Sequence, residues 1–259
     1  MAASAPQACE LIDACRLLCT QRKAKHRVHR WGAFIALCYW VSHGGGQPKL
    51  RNLENMPVDA LMLKELNSHP FLKHVAGFRQ VRSHETPHST PDNVLGVMAT
   101  CTLKLFQHYV EKLGQLYTRD PTVTRVIPNT IFSVTSYNLG PRTACFKHID
   151  FAHLPFGLCS ITDLGFYDPS KGGIEFPPSA TILIVSGIVA HSNVPVQTHE
   201  THYSVVHYSP GTLFRRVDND FRRSVDFIAS LSEGALAVQE RQSSRREMYL
   251  NRRRICILK

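Results

Sequence analysis

Two periodicities divide the chain. Up to Pro121 apolar residues recur every three or four positions, and beyond it they alternate in short runs. Leu11, Ile12, Cys15, Leu18 and Cys19 fall on one face of a helix predicted within residues 8–24, because 3.6 residues per turn bring such positions into line. Gly44-Gly45-Gly46-Gln47-Pro48 interrupts the pattern. It resumes at Val58–Asn67 and Pro70–Val75, while the polar residues 80–93, with His84, Pro87, His88 and Pro91, read as an exposed loop. A long helix is predicted from about Asp92, with Leu95, Met98, Leu105, Phe106, Tyr109, Leu113 and Leu116 on its apolar face. It ends at Arg119-Asp120-Pro121, since a proline ring crowds a helical residue before it.

Downstream, β-rich runs alternate with Gly and Pro: Thr122–Ile127, Ile131–Tyr137, Thr143–Ile149, Leu158–Leu164, Thr181–Val185, His202–Tyr208 and Thr212–Val217. Short strands separated by turn signals predict a sandwich or barrel. Beyond Arg222 a final helix is predicted, with Arg241, Arg245, Arg246, Arg252, Arg253 and Arg254 crowding its end. The pattern gives an α+β protein in three parts: a mostly helical region over 1–120 packing on the core, a β-core over 121–222, and a C-terminal basic helix over 223–259.

Composition narrows this. Hydrophobic residues make up 43% of the 259, enough to bury a core and to exclude bulk disorder. The net charge of +10 favours an acidic partner such as DNA through a basic surface, or marks a solvated basic face. Eight cysteines occur without a C-x-x-C pair, which argues against zinc-knuckle and thioredoxin motifs. No secretory signal is visible, so a nuclear or cytoplasmic setting is expected. The longest apolar stretch, Trp31 to Val41, is too short to span a bilayer, and no membrane association is expected. Cys256-Ile-Leu-Lys259 has the outline of a prenylation box, although lysine is not a usual final residue there.

The candidate chemistry lies in His148-Ile149-Asp150, at the end of a predicted strand, with His191 43 residues further on. Period two puts His148 and Asp150 on one face and Ile149 on the other. Two imidazoles and one carboxylate form the facial ligand set of non-haem Fe(II) oxygenases, which leaves three coordination positions open. With 14 histidines in the chain, an ordinary hydrogen-bonded strand histidine is the bland alternative.

From about Gly45 to Tyr249 the chain resembles a fungal family of 2-oxoglutarate/Fe(II)-dependent dioxygenase-like proteins related to the TET/JBP group. The matching stretches are Tyr137-Asn-Leu-Gly-Pro-Arg-Thr-Ala-Cys-Phe-Lys-His-Ile-Asp150, Leu154-Pro-Phe-Gly-Leu-Cys-Ser-Ile-Thr-Asp-Leu-Gly165, Asp168-Pro-Ser-Lys-Gly-Gly173 and Ile174-Glu-Phe-Pro-Pro178. Further on come His191-Ser-Asn-Val-Pro-Val196 and Gly211-Thr-Leu-Phe-Arg-Arg-Val-Asp218. Upstream, Leu66-Asn-Ser-His-Pro70 and Tyr109-Val-Glu-Lys-Leu113 also match. The resemblance implies a double-stranded β-helix, or jelly-roll, core. It implies Fe(II) held by His148, Asp150 and His191, with 2-oxoglutarate as cosubstrate and hydroxylation of a C–H bond as the outcome. In the TET/JBP group the substrate is a methylated nucleobase in DNA, which must be flipped out to reach such a site.

The chain also departs from that pattern. Where the family carries an arginine that forks onto the far carboxylate of 2-oxoglutarate, this chain has His202, two residues before Ser204. Period two sets His202 and Ser204 on one face, so both are expected to face that carboxylate. An imidazole in place of a bidentate guanidinium costs about a hundredfold in affinity, unless Arg142, Arg215 or Arg216 substitutes. A strand expected after Gly172-Gly173 is missing, His153 replaces an asparagine, and Pro177-Pro-Ser-Ala180 lacks the glycine of the usual turn. Three readings follow: an active dioxygenase, a decayed paralogue that keeps the fold, or a non-enzymatic basic nucleic-acid-binding protein.

Overall fold

The computed structural model describes residues 4–19, 31–42, 50–53, 57–76, 94–125, 127, 130–234 and 256–258. The first half gives helices α1 (Ala5–Cys19), α2 (Pro57–Ser68), α3 (Pro70–Val75), α4 (Val94–Cys101) and α5 (Leu103–Arg119). The strands are β1 (Ala36–Ser42), β2 (Arg51–Leu53), β3 (Val134–Asn138), β4 (Cys159–Phe166), β5 (Thr181–Ile184), β6 (Thr201–Tyr208) and β7 (Cys256–Leu258). Helices α6 (Gly211–Asp218) and α7 (Ser224–Ala229) follow β6. Among the described residues the strands form one antiparallel sheet in the order β2-β1-β3-β6-β4-β5-β7. Its body is β1-β3-β6-β4-β5, with three-residue strands at both edges. The protein is therefore α+β.

Alternation along each strand gives the sheet two different faces. Leu37, Tyr137, Leu164, Tyr203 and Val205 point to one side and pack on Ile12 and Cys15 of α1, Leu63 and Leu66 of α2 and Leu72 of α3. Each such burial contributes about 1.5–3 kcal/mol relative to exposure. Tyr137 Oη donates to Asn67 Oδ1 at 2.7 Å and Tyr203 Oη to Asp13 Oδ1 at 3.1 Å, so the two tyrosines keep polar partners as they enter the core. A second core joins Met98, Tyr109, Leu113 and Leu116 of α4 and α5 to Phe132, Leu183, Leu213 and Phe214. The other side of the sheet, including Asn138, Ile161, Asp163, Ile182, His202 and Ser204, lines a cavity of about 540 Å3.

Several expectations change in three dimensions. The long helix from Asp92 is two helices, broken at Thr102, where the backbone leaves helical dihedrals (φ −140°, ψ 47°) while its Oγ1 donates to Met98 O at 3.0 Å. Thr122–Ile127 is not a strand: Asp120 Oδ1 accepts from Thr122 N at 3.1 Å and starts a turn. Thr212–Val217 is the helix α6, not a strand. Pro210 precedes it with a fixed φ, and Leu213, Phe214 and Val217 are buried at helical spacing. Thr143–Ile149 forms no strand: Thr143 N donates to His202 O of β6 at 3.1 Å, and Cys145 and His148 make isolated bridges.

The apolar stretch at Trp31–Val41 supplies β1, paired with β3, so the region over 1–120 contributes strands to the sheet of the core. The loop over 80–93 and the arginines from Arg241 to Arg254 lie outside the described residues. Of the helix expected over 223–259 only α7 is described, and Cys256–Leu258 is instead a strand paired with β5. No helix among the described residues is long and apolar enough to cross a membrane.

Candidate metal centre

The site begins with a backbone pairing. His148 N donates to His191 O at 3.0 Å and His191 N to His148 O at 3.0 Å. This reciprocal pair clamps together two segments 43 residues apart in the chain. Asp150 N is held by Ser186 O at 2.9 Å. Alternation turns Ile149 outward, 44% exposed, while Asp150 is 6% exposed. His148, Asp150 and His191 line the cavity together.

Their side chains converge. His148 Nε2 lies 3.6 Å from Asp150 Oδ1, and His191 Nε2 lies 3.6 Å from Asp150 Oδ2. The imidazole centroids are 4.3 Å apart, and one donor atom from each of the three residues lies within 4.8 Å of the others. These distances are too long for hydrogen bonds, but donors about 2.0–2.2 Å from a common ion fall a little over 3 Å apart. The tautomers are set from behind. His148 Nδ1 is 2.6 Å from Phe146 O and His191 Nδ1 is 2.9 Å from Val189 O. A carbonyl only accepts, so each Nδ1 carries the proton and each Nε2 keeps its lone pair for a ligand.

Burial, with the neighbouring His148, pushes His191 below the usual imidazole range, against the raising effects of the Val189 carbonyl and Asp150. Trp31 Nε1 donates to Asp150 Oδ1 at 3.2 Å and orients the carboxylate. His153, which replaces the expected asparagine, stacks on Tyr208 and bonds Ser186 Oγ at 2.8 Å through Nδ1. The donor set and its free nitrogens thus fit a divalent metal such as Fe(II).

No protein-family model matches the chain, and no curated protein matches it.

His202 and Ser204 stand side by side on β6 and face the same cavity, as their spacing predicts. Their partners differ from those expected. His202 is 3% exposed, with Nδ1 2.7 Å from Thr143 O and Nε2 3.1 Å from Asp163 Oδ2. Both ring nitrogens are already committed. Burial disfavours the imidazolium, but the bond to Asp163 and its charge, together with the Thr143 carbonyl, outweigh it and raise the pKa. Ser204 Oγ accepts from Asn138 Nδ2 at 2.9 Å. Asn193 Nδ2 donates to Thr143 O at 2.7 Å and sits two residues from His191, linking the two ends of the cavity.

None of Arg142, Arg215 and Arg216 is among the residues lining the cavity. Arg142 reaches Thr198 O, and the other two belong to the last turn of α6. Of the lysines that do line it, Lys171 is paired with Glu200 at 3.4 Å, and Lys147 is exposed beside the metal histidine. The inner end therefore offers the far carboxylate of 2-oxoglutarate a carboxylate, Asp163, and no uncommitted cation among the described residues. The His148–Asp150–His191 end could hold a metal ion, whereas the inner end presents a carboxylate where 2-oxoglutarate would need a cation.

Between β4 and β5 the chain makes a 3-10 turn at Pro169–Lys171 and no strand. The turn that lacks its usual glycine keeps a left-handed residue, Ser179 at φ 72°. Sequence reasoning did not single out Asp163, Asn138, Asn193 or Trp31. A signal existed for Asp163, a carboxylate in register with Cys159 and Ile161 on the inward positions of an apolar strand. None existed for Trp31, 119 residues from its partner.

Proposed function

We propose that this chain is an Fe(II)-binding protein of the non-haem dioxygenase type, built on a reduced double-stranded β-helix. The path of the chain supports the fold. It runs through the sheet at β3, crosses to the facing wall at 142–150, and returns at β4. It leaves again over 167–180, returns at β5, forms the wall at 187–199, and ends in β6. In this reading the second layer of the jelly roll is represented by the His148–His191 pairing and the Gly32–Cys145 bridge.

The observation that carries the function is the convergence of two Nε2 lone pairs and one carboxylate inside a cavity. His148, Asp150 and His191 would hold the ion. Trp31 fixes the carboxylate, and the Phe146 and Val189 carbonyls fix the rings. Iron(II) bound by such a set activates dioxygen for oxidation of a C–H bond. Ile161, Ile182 and Ile184 on the sheet face give part of the cavity an apolar lining. The substrate class proposed, a methylated nucleobase in DNA in a nuclear or cytoplasmic setting, rests on the resemblance, and the net charge of +10 is compatible with an acidic partner.

The test is spectroscopic and then catalytic. Cobalt(II) should bind with one ion per chain and give visible absorption that His191→Ala and Asp150→Ala abolish. Iron- and oxygen-dependent turnover of a keto acid separates an enzyme from a fold that only holds metal. The second reading, a metal-binding relic without turnover, draws its support from the committed His202–Asp163 pair and the absent strand between β4 and β5.

A further inference from the structure

The inner end of the cavity is itself a built site. Asp163 is 8% exposed and lines the cavity, with Oδ2 taken by His202. Its other oxygen, Oδ1, has no hydrogen-bond partner among the described residues. Ser204 is 4% exposed, and its hydroxyl accepts from Asn138, leaving its own proton uncommitted among the described residues. Ile161 and Val206 are their neighbours on the same sheet face, and Ile182 and Ile184 line the same cavity, while Asp163 and Ser204 are themselves buried, which weakens screening by water. A free acceptor and a free hydroxyl proton together match a primary amide, whose N–H donates to Asp163 and whose carbonyl accepts from Ser204. A carboxylate in the same place would lie against Asp163, beside an imidazole whose N–H groups are both used.

We propose that this subsite selects a metal-chelating keto acid whose far end is a neutral amide, and rejects 2-oxoglutarate. The inference rests on the metal reading above, because the other end of such a ligand sits on the ion. The Asp163–His202 pair takes the place that an anion-binding cation would need, so the cavity distinguishes its ligand by charge.

The experiment titrates the full-length, cobalt-loaded protein with 2-oxoglutaramate and, separately, with 2-oxoglutarate, in the absence of oxygen. The visible absorption of the metal reports binding without any turnover. 2-Oxoglutaramate should bind at least about tenfold more tightly. In Asp163→Asn, which removes the charge and keeps the shape, the gap should shrink to within about threefold. Should that variant fail to take up cobalt, the comparison on the unmodified protein decides alone. Equal or tighter binding of 2-oxoglutarate overturns the inference, and so does a spectrum that neither keto acid shifts. Absence of cobalt binding in the unmodified protein overturns the metal reading and this inference with it; the other adverse outcomes leave the metal reading standing.

Discussion

The two ends of the cavity use the same residue types to opposite effect. At one end Asp150 stands 3.6 Å from two imidazoles, each tethered through Nδ1 to a backbone carbonyl. At the other, Asp163 stands 3.1 Å from a single imidazole whose second nitrogen also has a carbonyl partner. The first arrangement leaves lone pairs aimed at an unshared point. The second spends one ring nitrogen of His202 on Asp163 and the other on the Thr143 carbonyl. The two ends therefore differ in the number of imidazoles and in the separation of the donor atoms, and among the described residues only the first brings three such donors together.

Removing His202 tests the closed pair most severely. His202→Ala leaves Asp163 buried without its partner and should lower stability by about 3–5 kcal/mol. Chemical denaturation measures that loss, while cobalt affinity should move roughly an order of magnitude less. A large fall in cobalt affinity at unchanged stability would merge the two ends into one functional unit.

A second histidine on β6 sharpens the contrast. His207 points to the opposite face, is fully buried against Phe132, and bonds Thr135 Oγ1 at 3.0 Å with no carboxylate beside it. Burial pushes its pKa down to about 3. The unfolded chain takes up a proton near 6.5 that the folded chain refuses, so stability falls as pH drops from about 6.5 towards 3, by about 1.4 kcal/mol per unit at most. His202 has the reverse sign. Its raised pKa gives a contribution fully present below the unfolded value near 6.5 and lost as pH rises through the folded value. Melting curves from pH 7 to pH 4 should be less steeply pH-dependent in His207→Gln than in the unmodified chain.

At the metal end, Asp150→Ala should weaken cobalt binding by about a hundredfold or more, read by titration, with the fold retained by circular dichroism. Trp31→Phe removes the bond to Asp150 Oδ1 and should cost about tenfold. If Trp31→Phe matches Asp150→Ala, the indole is holding the segment in place and not merely the carboxylate. The smallest effect is expected at Ser179, whose φ of 72° suits glycine better. Ser179→Gly should stabilise the chain by about 1 kcal/mol, measured by thermal melting. Its backbone N–H holds Asp163 O at 2.7 Å, so relief of strain there reaches the inner end of the cavity.

Much of this was legible in the chain. Period two put His148 with Asp150 and His202 with Ser204, and the structure keeps both pairings on the cavity side. The apolar faces of α1, α2 and α5 follow from helical spacing alone. So do the strands at β3, β4, β5 and β6, where alternation and turn residues agree. Leu18, counted on the face of α1, is instead 67% exposed. Thr212–Val217 was misread because β-branched and aromatic residues fit a strand and an amphipathic turn alike, and only packing on α5 and Phe132 selects the helix.

What the sequence by itself determined is therefore which side chains share a face, since that depends on local backbone geometry. Only the tertiary structure decided which faces meet. Asp163 lies opposite Ser204 and diagonal to His202, and the residue directly opposite His202 is Gly165, which has no side chain. That register sets His202 Nε2 against the Asp163 carboxylate at the cavity wall. Trp31 reaches Asp150 across 119 residues, and His148 meets His191 across 43. Such contacts depend on strand register and chain crossing, which no local pattern encodes, because the free energy of pairing is fixed only when distant segments come together.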